Sequence, residues 1–165
     1  LETDGFLYTS YLNLGLEHIQ GDQVETGINY FSQADKLGDL PQEALDYWLW
    51  AELHLQGMAY YGVNWGVAAN FFRDICLSAP FYQGSCDRLF ESLVAYGDQY
   101  LVAEDYCPAE EIYREARLQK RSSELDEKLS QAAQGCDEAT PTPLAITNTL
   151  PVTGTESLFP PTSNE

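Results

Sequence analysis

One pattern of residue types returns three times along this chain at a fixed spacing of 41 positions. Leu14, Leu55 and Tyr96 open it, and His18, Ala59 and Tyr100 follow four places later. Gly27, Ala68 and Ala109 mark the next phase, then Phe31, Phe72 and Tyr113, then Ala34, Ile75 and Ala116. A small residue, an aromatic four places on and a medium one three places after that lie on one face of an α-helix. Each copy therefore reads as a helix hairpin whose second helix turns a small-aromatic-small stripe towards its neighbours. One such hairpin cannot bury its apolar face alone, so copies must stack. The expected fold is all-α, a right-handed α-solenoid of three hairpins of period 41, with a C-terminal capping helix and a disordered tail.

The spacing within each copy resembles the tetratricopeptide repeat. Its pattern of a large residue, Leu-Gly, a Tyr-like residue, Ala, an aromatic, Ala and often Pro is met at Tyr11, Leu14, Gly15, His18, Gly27, Phe31 and Ala34. Unit two supplies Leu55, Ala59, Ala68, Phe72 and Pro80, with Gln56 in the small-residue place and Glu52 in the first large one. Unit three supplies Leu93, Tyr96, Gly97, Tyr100, Ala109, Tyr113 and Ala116. The family repeat is about 34 residues long, so each junction here carries roughly seven more. The repeats are placed at about 8–48, 49–89 and 90–121 and the capping helix at about 123–135, within a TPR-like domain spanning 1–137. A Thr/Pro-rich linker follows at 138–165.

The resemblance implies that the first helices line a concave groove for a protein or peptide. Carried over position by position, that groove is Leu12, Asn13, Leu16 and Ile19 in unit one, and Trp50, Leu53, His54, Tyr60 and Tyr61 in unit two. Unit three adds Val94, Asp98 and Leu101. It is apolar and aromatic with acidic edges. The carboxylate clamp of Lys, Asn and Arg used by chaperone adaptors of the family has only Asn13 as a counterpart, which disfavours that ligand class.

With 26 acidic and 8 basic side chains the net charge is −18. Nucleic-acid binding by phosphate neutralisation is excluded for want of a basic stripe. No run is apolar and long enough to cross a membrane. No nucleophile, base and orienting group can be read as a set, no phosphate loop is present, and no cofactor or metal is expected. His18 takes a structural place in the repeat, whereas His54 is positioned to line a surface.

The four cysteines allow three pairings. Cys107 opens the second helix of unit three, Cys136 closes the last helix, and the turn near Ser122 is almost equidistant from them. Cys76 and Cys86 flank Ala79–Tyr82 in the same way. Antiparallel helices of matched length then join Cys76 to Cys86 and Cys107 to Cys136. Four free thiols are the competing reading, and a zinc site is weaker because no Cys-x-x-Cys occurs. Disulfides imply an oxidising compartment, hence an extracytoplasmic (periplasmic, secreted or cell-surface) bacterial protein. The absence of a starting Met or leader suits a segment of a longer exported protein.

After Cys136 the chain turns to Thr, Pro, Ser and Asn, too poor in apolar residues to offset the entropy of ordering. Deleting residues 138–165 should leave the melting temperature nearly unchanged, a comparison for calorimetry; a fall of several degrees would mean that Leu144, Ile146 or Phe159 docks on the helices. Leu150-Pro151-Val152-Thr153-Gly154 matches the sortase anchoring signal, a pentapeptide that can also arise by chance in such a linker. The expected function is a non-catalytic binding scaffold. The alternatives are an accessory helical domain of an envelope hydrolase and a structural surface spacer.

Overall fold

The computed structural model describes residues 2–139, and within them the chain is all-helical with no strand. The Thr/Pro-rich segment and the Leu150–Gly154 pentapeptide lie outside the described residues. The helices are α1 (Glu2–Gln20), α2 (Val24–Asp35), α3 (Gln42–Tyr60), α4 (Trp65–Ser78), α5 (Ser85–Val102), α6 (Tyr106–Gln119) and α7 (Ser123–Ala139). Each packs on the next in chain order, and α1 also packs on α3.

The helix limits follow from local chemistry. Asn64 caps α4 by accepting a hydrogen bond from the Val67 N–H, and Ser122 caps α7 by accepting from Leu125. Pro41 sits just before α3, where its missing N–H costs nothing. Ser85 is the first residue of α5. Its hydroxyl donates back to the Tyr82 carbonyl, and Gly84, at φ +63°, makes the entry.

The small-aromatic-small stripe forms the centre of the core. Phe31, Phe72 and Tyr113 are fully buried, as are Ala34, Ile75 and Ala116. Each ring lies on a glycine of the preceding helix. A Cβ added to Gly15 would stand 2.3 Å from Phe31, one on Gly57 2.9 Å from Phe72, and one on Gly97 2.5 Å from Tyr113. Only glycine leaves room for that approach.

These joints correct the register of unit two. Gly57, not Gln56, holds the small-residue place, and the equivalent of His18 is Tyr60, not the exposed Ala59. The ring contacts agree: His18 stacks on Tyr30 at 5.3 Å and Tyr60 on Phe71 at 6.0 Å. Gly57 stands one residue closer to the start of its partner helix than Gly15 or Gly97 does, so α3 is displaced by one position against an otherwise constant repeat.

A second correction concerns Gly135. It does not end the last helix, which continues to Ala139. A Cβ there would meet the Tyr106 ring at 2.3 Å, so the glycine admits α6 against α7, beside the Cys107–Cys136 disulfide. The expected domain limit at 137 therefore falls inside α7. Arg73 on α4 and Glu115 on α6 form a two-pronged ion pair at 2.6 and 3.1 Å across alternate helices.

Candidate binding site around Trp50 and His54

Residues 47, 50, 54 and 61 recur at helical spacing along α3 and its end, which gathers Tyr47, Trp50, His54 and Tyr61 towards one side. The segment between α4 and α5 closes over this side. Its Phe81 and Tyr82 rings lie 5.7 and 6.1 Å from Trp50, and Tyr47 lies 5.2 Å from it. Tyr82 is buried, whereas Phe81 is 68% exposed.

The segment is held at both ends. The Cys76–Cys86 disulfide ties its flanks, as expected from the spacing of those cysteines. Across the molecule, the Tyr82 hydroxyl donates to the Ile19 carbonyl at 3.2 Å and Gln83 Nε2 to the Gly21 carbonyl at 2.7 Å. These two side chains satisfy the Ile19 carbonyl, which the last turn of α1 leaves unpaired, and the Gly21 carbonyl in the turn that follows. Gln83 reaches them from a left-handed backbone conformation, φ +48°.

His54 lies beneath the cluster, 8% exposed, with its ring 6.1 Å from both Phe72 and Tyr82. Its Nδ1 is buried with no hydrogen-bond partner among the described residues, which costs on the order of 1–3 kcal/mol. Burial, and then the Arg88 charge, hold its pKa below the ordinary 6.5. The folded state thus prefers neutral imidazole. The stability this gives is fully present above pH 6.5 and falls as the pH drops below it, until the lowered folded pKa is reached. Denaturant melts between pH 7.5 and 5 should show that loss in the parent and a flatter profile in His54→Gln.

Beyond the cluster, the Tyr61 hydroxyl donates to Glu91 on α5, and Arg88 lies over the Tyr61 ring at 5.8 Å. Desolvation and the Glu91 carboxylate push the Tyr61 pKa up to about 12, so it stays a protonated donor.

The expected groove residues divide into four groups. Leu12, Leu16, Trp50, Leu53, Tyr61, Val94 and Leu101 are half-buried against the core, and Asn13 and Tyr60 are exposed. Ile19 and His54 are buried and are not groove surface. Ile19 fills the space over Gly27, where a Cβ would meet it at 2.5 Å, and His54 packs edge-on against Tyr82 on one side. Asp98 is occupied within the fold. It accepts from the Tyr113 hydroxyl at 2.6 Å and pairs with Lys128 at 2.9 Å, linking α5, α6 and α7.

Tyr47, Phe81, Tyr82 and Gln83 were missed by sequence reasoning. The one signal for the last three was their position between Cys76 and Cys86. A groove of about 750 Å³ also lies between α6 and α7, away from this cluster. Its Arg114 and Arg117 already pair with Glu110 and Asp126. Nothing in it gathers unpaired polar groups, so the aromatic side of α3 is the better candidate. No protein-family model, curated protein or solved structure matches the chain.

Proposed function

We propose that this chain is a non-catalytic scaffold that binds a protein or peptide, built as a tetratricopeptide-like solenoid within an exported or cell-surface protein. The observation that carries the reading is the glycine-under-ring joint repeated in three successive hairpins, Gly15–Phe31, Gly57–Phe72 and Gly97–Tyr113. One joint used three times is what stacked, similar hairpins require, and such stacks offer extended surfaces to partners. The two disulfides support an oxidising compartment. No helix among the described residues is long and apolar enough to cross a membrane.

The surface that suits a partner is aromatic: Phe81, at 68% exposure, lies against the half-buried Trp50, and the half-buried Tyr61 and the 42% exposed Tyr60 stand at the end of α3. Aromatics of this kind dominate binding where they are rigidly held. The test is a displayed random-peptide screen on the oxidised full chain, followed by affinity measurement. Trp50→Ala and Tyr60→Ala should each weaken selected peptides by about 2 kcal/mol or more. Trp50→Ala should also lower stability, because four aromatic rings pack together there. Failure to select any peptide, or selected peptides indifferent to both changes, would remove the reading.

A further inference from the structure

Beside the aromatic cluster, a cleft of about 390 Å³ opens between the first turn of α2 and the α3 face that carries His54. One wall is Asp22, Gln23, Glu25 and Thr26; the other is His54 and Leu55. Three features of this cleft are unspent by the fold.

The first is the start of α2. Its first backbone bond within the helix runs from the Gly27 N–H to the Gln23 carbonyl. The N–H groups of Val24, Glu25 and Thr26 have no partner among the described residues, and the Gln23 side chain makes no capping bond. The second is His54, nine-tenths buried, a wall of the cleft, and carrying a ring nitrogen without a partner. Such a group points to a ligand in a way that a helix terminus alone does not. The third is charge. Asp22 and Glu25 both line the cleft and are exposed, and neither enters an ion pair among the described residues. Residues 1–72 contain ten carboxylates and one basic side chain, Lys36.

A helix N-terminus by itself favours an anion. Here two carboxylates beside it repel one, and the chain's net charge of −18 has the same sign, although the Arg88 charge also reaches His54. The groups together match a ligand that brings a cation and a carbonyl oxygen on one short frame. We propose that the cleft receives a Lys or Arg side chain of a bound peptide. The cationic head meets Asp22 and Glu25, the alkyl stem lies along Leu55, and a peptide carbonyl accepts from the first N–H groups of α2. His54 fixes its tautomer against the same ligand. This deepens the peptide-binding reading and rests on it, adding the chemistry of one residue in the partner.

The test uses the oxidised, isotopically labelled full chain, titrated by NMR with acetyl-Gly-Lys-Gly-amide. The same peptide with norleucine or with Glu in place of Lys serves for comparison. The lysine peptide should give saturable shifts at the Val24, Glu25 and Thr26 amides and at the His54 ring. Affinity should fall by about fivefold or more with norleucine and again in Asp22→Asn/Glu25→Gln. The glutamate peptide should not compete. Equal binding of the lysine and norleucine peptides would overturn the proposal, as would tighter binding of the glutamate peptide. Because that comparison needs no variant, misfolding of Asp22→Asn/Glu25→Gln would not shield it. Peptides selected at the aromatic cluster but indifferent to Lys and to Asp22→Asn/Glu25→Gln would sink the cleft assignment while leaving the scaffold reading intact.

Discussion

Phe72→Ala should destabilise the folded chain by about 3–5 kcal/mol, the usual range for emptying a buried aromatic site. In a protein of this size that is a fall of roughly 10–20 °C in melting temperature. The ring is fully buried and touches both its own hairpin and the cluster above it. Gly57 lies under it, and His54 and Tyr61 stand edge-on at 6.1 and 6.0 Å. Helices packed this closely relax little into the space left behind, because the glycine joint already sets the shortest approach of α3 to α4. Leu77→Ala on the same helix is the control. Leu77 is 79% exposed, and its loss should change stability by less than about 0.5 kcal/mol. Urea unfolding of the two variants gives the comparison. Equal effects would mean that the repeated aromatic does not anchor the hairpin.

Removing Cys107–Cys136 by a double Ser substitution should cost about 3–4 kcal/mol, and removing Cys76–Cys86 about 2–3 kcal/mol. The difference follows from the closed loops, which span 29 and 10 residues. Total stability of a domain this size is about 5–15 kcal/mol, so reducing both bonds should leave it marginal at 37 °C. The shorter loop has a second consequence. Freed of its tie, the segment with Tyr82 and Gln83 loses its fixed reach to the end of α1, so hydrogen exchange at Gln20 and Gly21 should rise in Cys76→Ser/Cys86→Ser. A melting temperature unmoved by Cys107→Ser/Cys136→Ser would show that packing, with Tyr106 on Gly135 and Lys128 on Asp98, holds α7 in place without the bond.

Helix identity and the core stripe were legible in the sequence because both depend on residues three and four places apart. Phe31, Phe72 and Tyr113 announce their burial in that way, and so do the small residues before them. The disulfide pairing was also legible, since each pair straddles a turn at nearly equal distances. The Gly135 contact was not, because a glycine near a helix end carries the same local signal whether it stops the helix or admits a ring. The one-residue displacement of α3 was hidden for a related reason. Leu55 and Gln56 keep the 41-residue spacing, and only contact with Phe72 distinguishes Gly57 as the joint.

The site shows the same division. The sequence by itself determined that α3 would carry Trp50, Tyr60 and Tyr61, and that the chain would be acidic and bridged by its own cysteines. Tertiary structure alone decided that Ile19 and His54 are covered and that Asp98 is spent on Tyr113 and Lys128. It also decided that Tyr82 and Gln83 cross to α1, a contact between residues more than 60 positions apart. Helical periodicity fixes which face a side chain occupies. Whether that face meets water or another element depends on where distant loops come to rest.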